Sequence, residues 1–140
     1  MSKIIIHGGF FSESSTSAAT KIAKQEALLR IVKDSYAFLQ NHSALETVVY
    51  AVSQLEDDEL FNAGIGSQIQ SDGKIRMSAS LMDGESQKMS GVINIEEVKN
   101  PIQVAQVLMQ VDDRILGGSG ATNFARKHGF ESFSTEIPQR

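Results

Sequence analysis

The sequence predicts an α/β fold of the α+β kind, with helices gathered over a mostly antiparallel sheet. Two long stretches near the start carry apolar residues at helical spacing, and the segment from Ser67 to Val98 switches to the spacing of strands. A further helix, a short strand and a last helix follow before FESFSTEIPQR, which has no periodicity. The predicted order is β-α-α-β-β-β-α-β-α. It supplies about five strands for four helices and has no closing element, so the sheet keeps an unpaired edge that invites another chain.

Each element has a local reason. Ile4, Ile5 and Ile6 form a β-branched run that stops at Gly8-Gly9, the pattern of a buried strand ending in a sharp turn. FSESSTSAAT, residues 11 to 20, is rich in Ser, Thr and Ala and reads as a mobile loop before a helix cap. A long helix runs from about Ala18 to Gln40, with Ile22, Leu29, Val32, Tyr36 and Leu39 on one face, until Asn41-His42 breaks it. Ser43 and Glu46 form a capping box that starts a second helix, whose stripe is Leu45, Val48, Val49, Val52 and Leu55. Ser67–Gln70 and Lys74–Met82 flank the turn Ser71-Asp72-Gly73, and a second turn at Asp83–Ser86 leads to the strand Lys88–Val98. Asn100-Pro101 opens a helix with Pro at its first position, burying Ile102, Val104, Ala105, Val107, Leu108 and Val111. Arg114–Leu116 is a short strand ending at Gly117-Gly118-Ser119-Gly120. The last helix, about Ala121 to His128, is capped by Gly129.

Composition narrows the function classes. The 140 residues match the length of one domain, long enough to bury a real core. The net charge is −4 and no basic run exceeds two residues, which argues against a nucleic-acid surface. Without cysteine there is no disulfide framework and no thiolate zinc site. The three apolar residues before His7 are too short for a signal-peptide core, and nothing approaches a membrane span. The expectation is a soluble cytoplasmic chain that binds neither nucleic acid nor membrane.

The chemistry concentrates in LEDDELFNAGIGS, residues 55 to 67. The second helix ends in Glu56, Asp57, Asp58 and Glu59, the wrong sign for its dipole, and a bound cation would remove that conflict. A divalent site from Glu56 to Glu59 matches no EF-hand spacing, and four consecutive side chains cannot all reach one ion. A solvated turn is one alternative. The other uses backbone: a helix end with a Gly-containing turn leaves carbonyls free to surround a monovalent ion. GIGS and GGSG lack the Walker spacing and its lysine. Gly117–Gly120 lies between strand and helix, where an anion site or a close-packed turn both fit. Of the three histidines, His42 and His128 sit at helix ends as caps, while His7 ends a strand beside two glycines. No nucleophile–base pair emerges from the residues alone.

KIIIHGG, LEDDELFNAGIGS, SDGKIRMSASLMDGESQKMSGV, VKNPIQVAQVLMQ and RILGGSGATNFARKHGFE stand in an order and spacing similar to the plant-type asparaginases. These are also called isoaspartyl aminopeptidases or β-aspartyl peptidases, and they are N-terminal-nucleophile hydrolases. The resemblance runs from Lys3 to about Glu136. It implies a precursor that cuts itself before a threonine, which then heads a β subunit and is the nucleophile. This chain resembles the α subunit: residues 1–136 as the α portion of one domain, and 137–140 as the start of a flexible tail before the cleavage site. Thr122 and Thr135 lie in the wrong setting for a nucleophile, so no catalytic residue is assigned here. The implied fold is half of a four-layer αββα sandwich completed by the β subunit. The implied assembly is an (αβ)2 heterotetramer, and the implied reactions are hydrolysis of L-asparagine to aspartate and ammonia and removal of isoaspartyl residues from β-aspartyl peptides.

The resemblance also implies no organic cofactor and one structural sodium ion. Its donors would be the backbone carbonyls of Leu55, Glu56, Asp58, Phe61, Ala63 and Ile65. Asn62, by position, supports the nucleophile and the self-cleaving geometry, and His7, Gly8 and Gly9 match a turn linked to autoprocessing. Three places depart from the family pattern: Phe10 and Phe11 stand where small residues are usual, Ser78 where an acid is usual, and Gly117–Gly120 where Gly-Glu-Gly is usual. These leave a second reading, a divergent or non-catalytic member acting as a structural or binding chain.

Overall fold

The computed structural model describes residues 2–9 and 17–134. Phe10, Phe11, most of the serine-rich stretch, Thr135 and the proposed 136/137 boundary lie outside them. The first helix, α1, spans Ala18–Leu39, and the Ser17 hydroxyl accepts the Thr20 N–H at its start. Helix α2 spans Ala44–Glu56 and begins with the expected capping box: Ser43 Oγ accepts the Glu46 N–H at 3.2 Å, and Glu46 Oε2 accepts the Ser43 N–H at 2.8 Å. That donation from the Ser43 backbone holds the Glu46 carboxyl below its usual range.

Strands β1 (Met77–Asp83) and β2 (Lys88–Ile95) form an antiparallel hairpin, closed by a turn in which Asp83 Oδ1 accepts the Glu85 N–H. Helix α3 (Pro101–Leu108) starts on proline and carries the chain to β3 (Ile115–Gly117), which pairs parallel with β2. Helix α4 (Gly118–Lys127) ends before Gly129, which has a φ of +83°. The sheet order is β1-β2-β3.

Alternation along the strands separates two faces. Met77, Val92 and Ile95 point inward and pack on α3 and α4 through Val104, Leu108, Ala121 and Ala125, while Leu81 packs on Ile102, Ala105 and Met109, where α2 joins through Val49. Leu108 is fully buried. Leu108→Ala is expected to cost about 2–5 kcal/mol, read by urea denaturation, because the rigid helix–sheet layer cannot collapse into the space left. The opposite face carries Met82, Met89, Ile93 and Ile115, all exposed.

The structure corrects several expectations. Ile4–Ile6 is not a strand: no backbone partner lies beside it among the described residues, and Ile5 is 94% exposed. Ser67–Gln70 is not a strand either. It leads into a turn in which Gln70 N donates to the Lys74 carbonyl at 2.8 Å and Gly73 N to the Gln70 carbonyl at 2.9 Å. Three strands are therefore present among the described residues, not five, and the sheet is mixed, not mostly antiparallel.

On α1 the buried side is Ala27, Ile31 and Ser35, while Ile22, Leu29 and Tyr36 face outward. Two apolar stripes compete on that helix. The one that carries Ala27, Ile31 and Ser35 wins, and Ala27 and Ile31 pack with Phe61. Val48 of α2 is likewise exposed. Gly118–Gly120 are already helical and form the first turn of α4, so they do not form a separate glycine loop.

Candidate functional site

The end of α2 leads into a tight reversal. Phe61 N donates to the Asp58 carbonyl at 3.2 Å, Ala63 N to the Phe61 carbonyl at 2.9 Å, and Gly66 N to the Ala63 carbonyl at 3.0 Å. Two glycines make this possible. Gly64 has a φ of +52°, and a Cβ built on it would fall 2.1 Å from the Glu56 carbonyl oxygen. A Cβ on Gly66 would fall 2.0 Å from the Phe61 carbonyl oxygen. Residues 55 to 66 thus fold their backbone onto itself, with Gly64 passing against the Glu56 carbonyl and Gly66 against that of Phe61.

The acidic side chains leave this turn in different directions. Glu56 crosses to α3, where its Oε1 accepts the Ile102 N–H at 3.1 Å. Asp57 meets Lys99 Nζ and Asn100 Nδ2, each at 3.0 Å. Asp58 pairs with Arg30 at 3.1 Å and accepts the Leu60 N–H at 3.0 Å. Among the described residues no three acidic or histidine side chains converge as a metal would require. At the wrong-sign ending of α2, Asp57 and Asp58 are met by the cations Lys99 and Arg30, while Glu56 accepts an N–H in the first turn of α3. Arg30 is 55% exposed in its side chain, so Arg30→Ala is expected to cost less than about 1 kcal/mol by thermal melting.

Glu56 is the most perturbed group of the site. It is 3% exposed, and burial pushes its carboxyl up from 4.5 to about 7, with the hydrogen bond from Ile102 offsetting only part of that.

His7, Gly8 and Gly9 lie against this loop. His7 Nδ1 accepts the Gly9 N–H at 3.1 Å, which curls the turn. A Cβ on Gly8 would sit 2.9 Å from the Phe61 ring and 3.0 Å from Leu28, so glycine lets the turn press on the loop. Asn62 is exposed, and its Oδ1 accepts the Gln68 N–H at 3.0 Å. A cleft of about 460 Å³ is lined by His7, Gly8, Gly9, Leu55, Phe61, Asn62 and Ala63. The structure therefore gathers the predicted turn, Asn62 and three of the six carbonyl positions around one opening. Glu56, Asp58 and Ile65 stand outside that lining. Glu56 contributes instead to a second cleft of about 290 Å³ beside Gln68, Arg76 and Ser78, and Asn62 lines both clefts.

Sequence reasoning missed the tie between α2 and α3, although Lys99-Asn100-Pro101-Ile102 was in plain view. Acids ending one helix and an Asn-Pro opening another are the signal for it. It also missed what Ser78 does. The Ser78 hydroxyl accepts the Asn94 N–H at 3.2 Å, where β2 bulges and Asn94 takes a φ of +54°.

An asparaginase family model matches residues 1–139. Among curated proteins, the isoaspartyl peptidase/L-asparaginase of Synechocystis sp. is 47% identical over 126 residues, covering 89% of this chain and 38% of that protein. The plant-type L-asparaginase of Thermococcus kodakarensis is 38% identical over 148 residues, covering 100% and 45% respectively. A probable isoaspartyl peptidase/L-asparaginase 2 of Arabidopsis thaliana is 36% identical over 135 residues, covering 95% and 42%. The chain thus spans less than half the length of these relatives.

Proposed function

This chain belongs to the asparaginase family, and from that premise we propose that it is the α part of an autoprocessed hydrolase acting on L-asparagine and isoaspartyl peptides. The catalytic threonine is supplied by a β chain from the same precursor. The observation that carries this reading is the single cleft where the His7-Gly8-Gly9 turn, Asn62 and the loop from Leu55 to Ala63 meet. In that reading they form one wall of an active site whose chemistry lies on the partner. There the N-terminal threonine uses its own amine as base for its hydroxyl, and an acyl-enzyme splits amide hydrolysis into two easier steps. This chain's part is to hold the wall: Asn62 presents a side-chain amide at its edge, and Gly8 lets the turn close on Phe61.

A sodium ion fits the loop. Its donors would be the carbonyls of Leu55, Glu56, Asp58, Phe61, Ala63 and Ile65, in a loop that Gly64 and Gly66 let close against the Glu56 and Phe61 carbonyls. Those of Asp58, Phe61 and Ala63 each accept one backbone hydrogen bond, which leaves a second lone pair for an ion, while that of Leu55 is approached by the N–H groups of both Asp57 and Asp58. The diverging carboxylates add background negative charge without acting as ligands. The ion's contribution would be structural, offsetting the negative ends of the carbonyl dipoles turned toward it.

The exposed Met82, Met89, Ile93 and Ile115 face supports a second sheet from the β chain, completing a four-layer αββα sandwich, with (αβ)2 as the assembly. No helix among the described residues is long and apolar enough to cross a membrane.

Denaturing intact-mass spectrometry on the natively purified protein tests the proposal. The expected result is a second chain beginning with threonine, after which asparagine and isoaspartyl dipeptide hydrolysis are assayed. A lone 15.2 kDa species, or a longer chain that never cleaves, would overturn it.

A further inference from the structure

Lys99, Asn100, Ile102 and Gln103 all face the last turn of α2. Besides the Glu56–Ile102 bond, Asn100 Nδ2 donates to Asp57 Oδ1 at 3.0 Å and to the Ser53 carbonyl at 3.5 Å. Gln103 Nε2 donates to Ser53 Oγ at 3.3 Å, and Lys99 pairs with Asp57 at 3.0 Å. Glu56 differs from the other residues in this tie. Its carboxyl is buried, and its second oxygen, Oε2, has no hydrogen-bond partner. Leaving a polar atom so placed costs free energy, so packing must hold the side chain there. The same residue also presents the backbone carbonyl on which Gly64 lies. The side chain is held by α3 and the carbonyl by the loop, and one Cα joins the two.

We propose that Glu56 is a positioning residue: anchored to the start of α3, its side chain fixes the direction of the Leu55 and Glu56 carbonyls and so sets the loop's affinity for its cation. This rests on the sodium reading above and extends it from backbone donors to the side chain that aims them. Groups behind the direct donors of a metal site commonly act this way, and their loss typically weakens metal binding about 10- to 100-fold. An ordinary staple between two helices would instead lower stability equally with and without the ion.

The two roles separate in a sodium titration of melting temperature on the natively purified protein, with choline chloride holding ionic strength constant. Sodium that binds only the folded state raises the melting temperature with a midpoint set by its affinity. Glu56→Ala is expected to raise that midpoint about tenfold or more. Glu56→Gln keeps an oxygen for the Ile102 N–H and is expected to stay within about threefold of wild type. Gln103→Ala removes a neighbouring tether, the bond to Ser53 Oγ, and leaves the surroundings of the Glu56 carboxyl intact. It is expected to lower the melting temperature at every sodium concentration without moving the midpoint. Should Glu56→Ala fail to fold, Glu56→Asp, one methylene short of Ile102, carries the same expectation. An unchanged midpoint in the Ala or Asp variant overturns the inference alone, as does a Gln variant as weak as Ala. A wild-type protein whose melting ignores sodium overturns the inference and the sodium reading together.

Discussion

Gly64→Ala is expected to cost more than about 4 kcal/mol, a loss reserved for changes that force backbone to move. Two effects combine. A φ of +52° strains any L-residue with a Cβ, by roughly 1–2 kcal/mol. The Cβ would also stand 2.1 Å from the Glu56 carbonyl oxygen and 2.6 Å from its carbon and Cα. All three are backbone atoms at the end of a helix, and none can swing aside as a side chain would. Gly73→Ala is the control. Its φ of +81° carries the same strain, but nothing lies within 4 Å of the new methyl. It is expected to cost only about 1–2 kcal/mol. Urea denaturation of both variants separates strain from collision. Equal losses would mean that the loop does not pack on Glu56 as described.

The second large effect is a pH dependence. The folded protein raises the Glu56 carboxyl from 4.5 to about 7, chiefly through burial. Between those values the folded state holds a proton that the unfolded chain has released. Stability from this group is therefore fully present below about pH 4.5 and is lost as pH rises through 7. The full swing is about 3 kcal/mol. Glu56→Gln has no proton to lose, so the difference in stability between wild type and Glu56→Gln should change across that window in sodium-free buffer. Denaturation at several pH values reads it directly. A difference that stays flat from pH 5 to 8 would show that the carboxyl is not buried as described.

These two residues show how far the sequence could be read. The glycines of the loop were legible because a helix end followed by Gly-x-Gly must reverse, and reversal is a local matter. The capping box at Ser43 and the proline opening α3 were legible for the same reason. The destinations of the acidic side chains were not. Arg30 lies 28 residues from Asp58, and Ile102 lies 46 residues from Glu56, so neither pairing leaves a mark on neighbouring residues. Ile4–Ile6 shows a related limit: a β-branched run states a preference for extended backbone, but a strand needs a partner to pair with. On α1, periodicity found an apolar stripe but not the side that packs. Ala27 carries little hydrophobic weight, yet it is buried in the same cluster as Ile31 and Phe61.

The outer face of the sheet has one more consequence. Met82 and Met89 sit opposite each other in the β1–β2 register, 65% and 53% exposed, while Met77 and Met109 are 6% and 3% exposed. Thioethers in water are oxidised to sulfoxides, and those shut inside a core are shielded. Mild peroxide followed by peptide mass mapping would thus mark the first pair and spare the second whenever that face is bare. Protection of Met82 and Met89 in the native preparation would register that something has covered it, without any label being added.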